Sequence, residues 1–189
     1  NAGVHIPHAN AYPIAGRVKN FHPAGYPQEE PMVPHGMAVA LTAPEAFRFT
    51  FDASPERHLR AAELLAPGVA CADEPSDHLP RILTDLMRDI AMPNGIGAVG
   101  YTDGDVDDLV EGTMKQQRLL ATAPRAVTAD DAAGILRASL EPVVGAADMI
   151  KCILRLPPQY SDIDVSAEVV KYCKANDIFI LSDLAYSEI

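Results

Sequence analysis

Apolar side chains recur at three- and four-residue spacing through residues 76–91, where Leu79, Ile82, Leu83, Leu86, Met87 and Ile90 share one face. That period predicts an amphipathic helix. Residues 1–16 also carry a helical pattern, with small and apolar residues on one side and His8 and Tyr12 stacked four apart, although Pro7 and Pro13 predict a strained or broken helix there. A Pro/Gly-rich loop follows over 17–34, and His35 to about Phe47 reads as a buried apolar helix with Pro34 in its first turn. Ser54-Pro55 is a cap followed by a first-turn proline and opens a helix to about Leu65. Asn94-Gly95 predicts a turn, and a further helix is expected from about Thr102 to Leu120. Thr128-Ala129-Asp130-Asp131 resembles a capping box that starts a helix to about Leu140.

The character changes beyond Pro142. Helical stretches near 146–153 and 164–175 bracket Leu156-Pro157-Pro158-Gln159-Tyr160, and the β-like run Ile178-Phe179-Ile180-Leu181 comes after them. The expected class is therefore mainly α, a helical bundle over 1–141 with a short α/β-like tail over 142–189. A lone strand leaves its edges unpaired, so the tail reads as part of something else. The start at Asn1, inside a helical pattern, reads as a fragment.

Composition narrows the function classes. With 48% hydrophobic residues the chain can bury a core, and a net charge of −11 leaves no basic stripe for nucleic acid. The acidic run Asp103-Gly104-Asp105-Val106-Asp107-Asp108 lacks the glycine and distal glutamate of an EF-hand loop and reads as a solvated face. Cys71, Cys152 and Cys173 form no C-x-x-C pair, which argues against a disulfide framework or a structural zinc site. No apolar run is long enough to span a bilayer and no signal peptide is visible, so a non-secreted protein with reduced thiols is expected.

Two histidine motifs carry the candidate chemistry. One reads Gly3-Val4-His5-Ile6-Pro7-His8-Ala9-Asn10-Ala11-Tyr12-Pro13-Ile14-Ala15-Gly16, the other Val33-Pro34-His35-Gly36-Met37-Ala38-Val39, and His8 and His35 lie 27 positions apart. Imidazole is a frequent nitrogen ligand of divalent transition metals, and two helices can bring two rings to one ion. Taken from the residues alone, packed histidines with hydrogen-bonded nitrogens are the readier account of the pattern. Tyr12 lies one turn beyond His8, where its hydroxyl can orient substrate or simply be satisfied in a core. His5 sits three residues before His8, as a supporting or substrate-facing group. Asn10 and Lys19 are candidate carboxylate contacts, and His22, His58 and His78 are expected at the surface.

The same motifs resemble the metal-binding region of the iron-containing (group III) alcohol dehydrogenases, over residues 1 to about 141. Within that family the pattern G-V-H-x-x-H-x-x-x-Y-P-I-x-G with V-P-H-G is most similar to the hydroxyacid-oxoacid transhydrogenase branch. The resemblance implies a helical C-terminal domain with His8 and His35 as metal ligands, the metal being Fe2+ or Zn2+. A further Asp and His would come from an upstream D-x-x-x-H helix. It implies hydride transfer between a hydroxy acid such as 4-hydroxybutyrate and an oxo acid such as 2-oxoglutarate, with Tyr12 and His5 near the substrate. NAD(H) would be bound by a separate glycine-rich domain upstream. It also implies a cytoplasmic protein in bacteria or a mitochondrial one in eukaryotes, with a homo-oligomer compatible, and no activity from this chain alone.

Two further strings invite other readings. Gly95-Ile96-Gly97-Ala98-Val99-Gly100 satisfies G-x-G-x-x-G, but a helix rather than a strand is expected before it, which argues against a dinucleotide site. Residues 168–189, ending in Ser182-Asp183-Leu184-Ala185-Tyr186, resemble fold-type I aminotransferases, in which the residues matching Asp183 and Tyr186 contact pyridoxal phosphate. Lys151, Lys171 and Lys174 precede that strand and do not fit as the Schiff-base lysine. The readings to separate are a metal-dependent oxidoreductase domain, an aminotransferase fragment and a helical scaffold without chemistry.

Overall fold

The computed structural model describes residues 4–141. Among them there are eight α-helices, joined by short 3-10 turns, and no strand. The helices are α1 (Ile6–Gly16), α2 (His35–Leu41), α3 (Ala43–Thr50), α4 (Pro55–Leu65), α5 (His78–Asp89), α6 (Val106–Met114), α7 (Gln117–Leu120) and α8 (Ala129–Ala138). The expected mainly α architecture is what forms, and the readings made for the tail from Pro142 onward lie outside the described residues.

α1 is the centre of the packing. Its sequence is apolar nearly all round, which marks a helix covered on several sides, and α2, α3, α6 and α7 all pack against it. Ile6, Ala9, Asn10, Ala11 and Ile14 are each completely buried. Neither proline breaks it. Pro7 lies in the first turn, where its missing N–H has no intrahelical partner anyway. Pro13 removes one bond near the other end, and the helix still closes through the Arg17 amide donating to the Pro13 carbonyl at 3.0 Å. Tertiary burial outweighs a single lost bond.

Its neighbours approach closely because small residues allow it. A Cβ on Gly112 of α6 would lie 2.6 Å from the Pro13 Cβ and 2.1 Å from the Arg17 Nη1, so only glycine permits this crossing. Ile14, Leu41, Ile96, Val99, Leu109 and Leu136 form the main core on one side of α1. Ile6, Ala46, Leu119, Leu120 and Ile135 form a second core on the other. Asn10 joins the layers, its amide donating to Thr42 Oγ1 at 3.2 Å and its carbonyl oxygen accepting from Thr113 Oγ1 at 3.0 Å.

Three features differ from the sequence expectation. The expected helix over 35–47 divides at Thr42 into α2 and α3, because Pro44 cannot donate to the Ala40 carbonyl and instead occupies the first turn of a new helix. The expected helix over 102–120 becomes a 3-10 turn, Asp103–Asp105, then α6 and α7. Gln116 leaves the helical region at φ −86° and ψ 47°, and Leu119 and Leu120 beyond it join the Ile6 cluster. His58 and His78, expected at the surface, are both buried. His58 shares the inner face of α4 with Ala62, one turn on, and lies against the rings of Phe47 and Phe51.

Candidate metal centre

His8 lies in the first turns of α1, and His35 is the first residue of α2. The loop over 17–34 returns the chain from one to the other. It is closed by the Met32 amide donating to the Phe21 carbonyl at 2.9 Å, and Val33 is buried just before the histidine. Pro34 holds an extended backbone at φ −54° and ψ 141°, so α2 starts abruptly at His35. α1 packs directly on α2, and the imidazole centroids of His8 and His35 come to 5.6 Å with the rings inclined by 63°.

That separation can be tested against a shared ion. With metal–nitrogen bonds of about 2.1 Å and a roughly tetrahedral angle, two imidazoles on one ion carry their centroids about 5.3 Å apart. The observed spacing fits two ligands of one divalent cation. Two histidines are half of an ordinary four-ligand set, and among the described residues no group of three or more His, Cys, Asp or Glu side chains comes together.

Tyr12 follows His8 by one turn, and its ring lies 5.6 Å from that of His35. It is half-exposed, as is the neighbouring stretch around His35 and Gly36, so this side of the pair opens outward. His5 occupies the cap position of α1, three residues before His8. Its ring stands edge-on to Phe47 at 6.0 Å. The Nδ1 atom is buried without a hydrogen-bond partner. Burial, followed by the nearby His8 and His58, holds its pKa below the ordinary histidine value.

The remaining candidates are engaged elsewhere. Asn10 spends its amide on Thr42 and Thr113, completely buried, and Lys19 is paired with Asp105. Arg17 is likewise paired, with Asp108 at 2.7 Å. The group behind His5 is one that the sequence expectation does not contain. His58 makes a 2.8 Å bond between its Nδ1 and the Ser54 carbonyl and a 3.1 Å bond between its Nε2 and Thr50 Oγ1. The signal for its burial is the four-residue spacing of His58 and Ala62, hidden among Glu56, Arg57 and Arg60.

The G-x-G-x-x-G string forms a 3-10 turn, Ile96–Val99, following α5 rather than a strand. A Cβ on Gly97 would meet the Leu140 carbonyl oxygen at 2.2 Å. This glycine admits the end of the α8 segment, which accounts for the string without a nucleotide.

Comparison with known proteins points the same way. Residues 29–140 match the model of the Fe-containing alcohol dehydrogenase family, C-terminal. The mitochondrial hydroxyacid-oxoacid transhydrogenase of Xenopus tropicalis is 43% identical over 145 residues, which are 75% of this chain and 31% of that protein. That of Bos taurus is 40% identical over the same shares. Among solved structures, an alcohol dehydrogenase from Oenococcus oeni superposes with a TM-score of 0.60 at 23% identity, over 74% of this chain and 33% of that one. The chain thus spans about a third of the length of the curated relatives it matches. The aminotransferase reading of residues 168–189 gains no support from these comparisons.

Proposed function

This chain belongs to the Fe-containing alcohol dehydrogenase family, through the C-terminal domain, and from that premise we propose that His8 and His35 are two ligands of its divalent metal. The observation that carries the reading is the approach of these two rings, from 27 positions apart in sequence, to a centroid distance of 5.6 Å. A further Asp and His, which the family pattern puts on a D-x-x-x-H helix N-terminal to this pair, complete the set. Iron is the metal we assign, with zinc as the alternative of the same charge.

A divalent cation held there supplies Lewis-acid polarisation of a hydroxyl or carbonyl oxygen. The chain's own residues do the rest on this side of the site. α1 and α2 set the two imidazoles 5.6 Å apart, a separation that suits one ion. Tyr12 presents its ring and hydroxyl on the open side of His35, where a substrate must enter. His5 stands at the cap position of α1 near His8, with its ring against Phe47.

The names of the relatives indicate the reaction of the whole protein, hydride exchange between a hydroxy acid and an oxo acid. We assign the same substrates here, small acids of the 4-hydroxybutyrate and 2-oxoglutarate kind. The NAD(H) site belongs to the part of the protein outside residues 1–141, and the 189-residue chain by itself is not expected to turn over substrate. The mitochondrial location in those names carries over for a eukaryotic source and the cytoplasm for a bacterial one. No helix among the described residues is long and apolar enough to cross a membrane.

Titration of the chain with Co2+, followed on the histidine ring signals by NMR, tests the ligand assignment. His8 and His35 should respond together and with one affinity, and either His8→Ala or His35→Ala should abolish the response of the partner ring. Independent responses of the two rings, or unchanged uptake by the variants, would sink it.

A further inference from the structure

Metal ligation alone leaves open which group recognises the acid function of a hydroxy acid rather than a neutral alcohol, and the structure narrows the choice. The two basic side chains that follow α1 are already committed, Arg17 to Asp108 and Lys19 to Asp105. Asn10 is completely buried and bonded on both sides. His5 remains. We infer that His5 carries its proton on Nε2 and donates that N–H to the carboxylate of the acid substrate, beside the metal ligand His8.

The tautomer follows from the surroundings of the ring. Nδ1 is enclosed and lacks any hydrogen-bond partner, while Nε2 is absent from the enclosed, unpartnered atoms and makes no hydrogen bond among the described residues. A proton on Nδ1 would leave a buried N–H with no acceptor, the rarer and costlier kind of orphan. Moving it to Nε2 leaves only a lone pair on the enclosed nitrogen and places the donor on the other edge of the ring. Phe47, edge-on at 6.0 Å, is an apolar backing for that ring and offers Nδ1 nothing to bond.

Position makes this donor useful. His5 is the cap residue of α1 and His8 lies in its first turn, close enough for the charge of His8 to act on the His5 ring. A hydroxy acid whose oxygen meets the His8–His35 pair extends its chain toward groups neighbouring that pair. The start of α1 has no side-chain cap, and its helix dipole favours a negative group there. Among the described residues, the charged neighbours that shift His5 are His8 and His58, both histidines. In a chain of net charge −11, an anion-accepting corner of this kind is local.

The inference rests on the proposed metal reading for its geometry, but its test is separable. Long-range 1H–15N correlation on the 15N-labelled 189-residue chain, without added metal, reports the His5 tautomer directly. Nε2–H is expected, and Nδ1–H would overturn the inference. Titration with 4-hydroxybutyrate should then shift the His5 Nε2–H resonance, whereas 1-butanol at equal concentration and ionic strength should not. The response should persist in His35→Ala, which dismantles the metal pair and leaves His5 untouched. A His5→Phe variant keeps the packing against Phe47, and in it the acid-induced shift of the neighbouring His8 ring should be lost. Equal responses to acid and alcohol, or an acid response of His8 that survives in His5→Phe, would remove His5 as the carboxylate donor. Neither result would touch the Co2+ assignment of His8 and His35.

Discussion

The hydroxyl of Tyr101 donates to the backbone carbonyl of Ile14 at 2.6 Å, across 87 positions of sequence. That carbonyl lies in the last turn of α1, where the helix itself supplies no amide to meet it. Tyr101 therefore closes the C-terminal end of the helix that carries His8 and Tyr12. Its ring is almost wholly buried in the main core, so one residue ties the polar end of α1 to the apolar packing beneath it.

Tyr101→Phe keeps the ring and removes the donor. The orphaned buried carbonyl should cost about 1–3 kcal/mol, read as a lower midpoint in urea with an unchanged slope. Alkaline pH should reveal the burial of the same hydroxyl. Burial, with a smaller contribution from Asp105, pushes the Tyr101 hydroxyl up to about 12 in the folded chain, against an ordinary value of 10.0. A raised value means that the stabilisation is complete below pH 10 and is lost as pH climbs toward 12. Wild type should lose stability across that window and Tyr101→Phe should lose less of it. Parallel profiles for the two proteins would show that the hydroxyl is not buried in solution.

Asn10 is the second polar tie on α1. Asn10→Ala leaves the buried hydroxyls of Thr42 and Thr113 without their shared partner and opens a void where the amide was. A loss of about 2–4 kcal/mol is expected. Since Thr42 stands at the break between α2 and α3, the His35 ring signals should broaden or shift although His35 itself is unchanged. A stability loss confined to the other end of the molecule, with His35 unmoved, would contradict this linkage.

Much of this architecture is legible in the pattern of residues, and the exceptions have identifiable causes. The face of α5 follows from Leu79, Ile82 and Met87 at helical spacing, and all three are buried, whereas Leu86 and Ile90, expected on the same face, are exposed. The break at Thr42 is concealed in the sequence because Pro44 sits inside an apolar run, where its missing donation to Ala40 does not disturb the period. A second capping box, with the Thr102 amide donating to Asp105 at 2.9 Å, is masked because its third residue is Asp in an acidic run that looks like solvated surface. His58 escapes a reading by polarity because burial is set by the face a residue occupies, not by its sequence neighbours. The His8–His35 pair is visible only through the resemblance its motifs carry. Spacing in sequence says nothing of how a loop over 17–34 returns, and the approach of the rings is a property of the packed helices.

The glycines make an independent test of packing. Gly97→Ala puts a methyl 2.2 Å from the Leu140 carbonyl oxygen, a backbone atom that cannot rotate away. Overpacking of this kind costs about 1–3 kcal/mol or more. Gly134 lies inside α8, where an added methyl would meet nothing within 4 Å, and should behave oppositely. Gly134→Ala should add up to about 1 kcal/mol through helix propensity. Thermal midpoints that move in the same direction for both substitutions would overturn the assignment of Gly97 to close packing.

α8 owes its start to Thr128. The Thr128 hydroxyl accepts from the Asp131 amide at 3.1 Å, and the Asp131 carboxylate accepts from the Thr128 amide at 2.9 Å. Thr128→Ala should cost about 1 kcal/mol at neutral pH. The Thr128 side chain and then its amide hold the Asp131 carboxyl below the ordinary carboxylate value. A lowered value means that this stabilisation is present above about pH 4 and is lost as pH falls through the folded value. The difference between wild type and variant should accordingly shrink in acid. A gap that stays constant down to about pH 2 would show that the carboxylate takes no part in the cap.

Tyr12 bears most directly on the proposed metal reading, because its ring packs 5.6 Å from that of His35 on the open side of the site. Aromatic pairs of this geometry are worth about 0.5–1.5 kcal/mol beyond their buried area, which corresponds to roughly 2–10-fold in an equilibrium constant. If Tyr12 steadies the His35 ring for the cation, Tyr12→Ala should weaken Co2+ uptake by that factor. Tyr12→Phe, which keeps the ring and discards the hydroxyl, should leave uptake unchanged. A loss shared by both variants would move the contribution from the ring to the hydroxyl, and so to a direct contact with the ion or its bound water. No change in either would leave Tyr12 to the substrate alone, with His35 held by the backbone of α2 and by Pro34 before it.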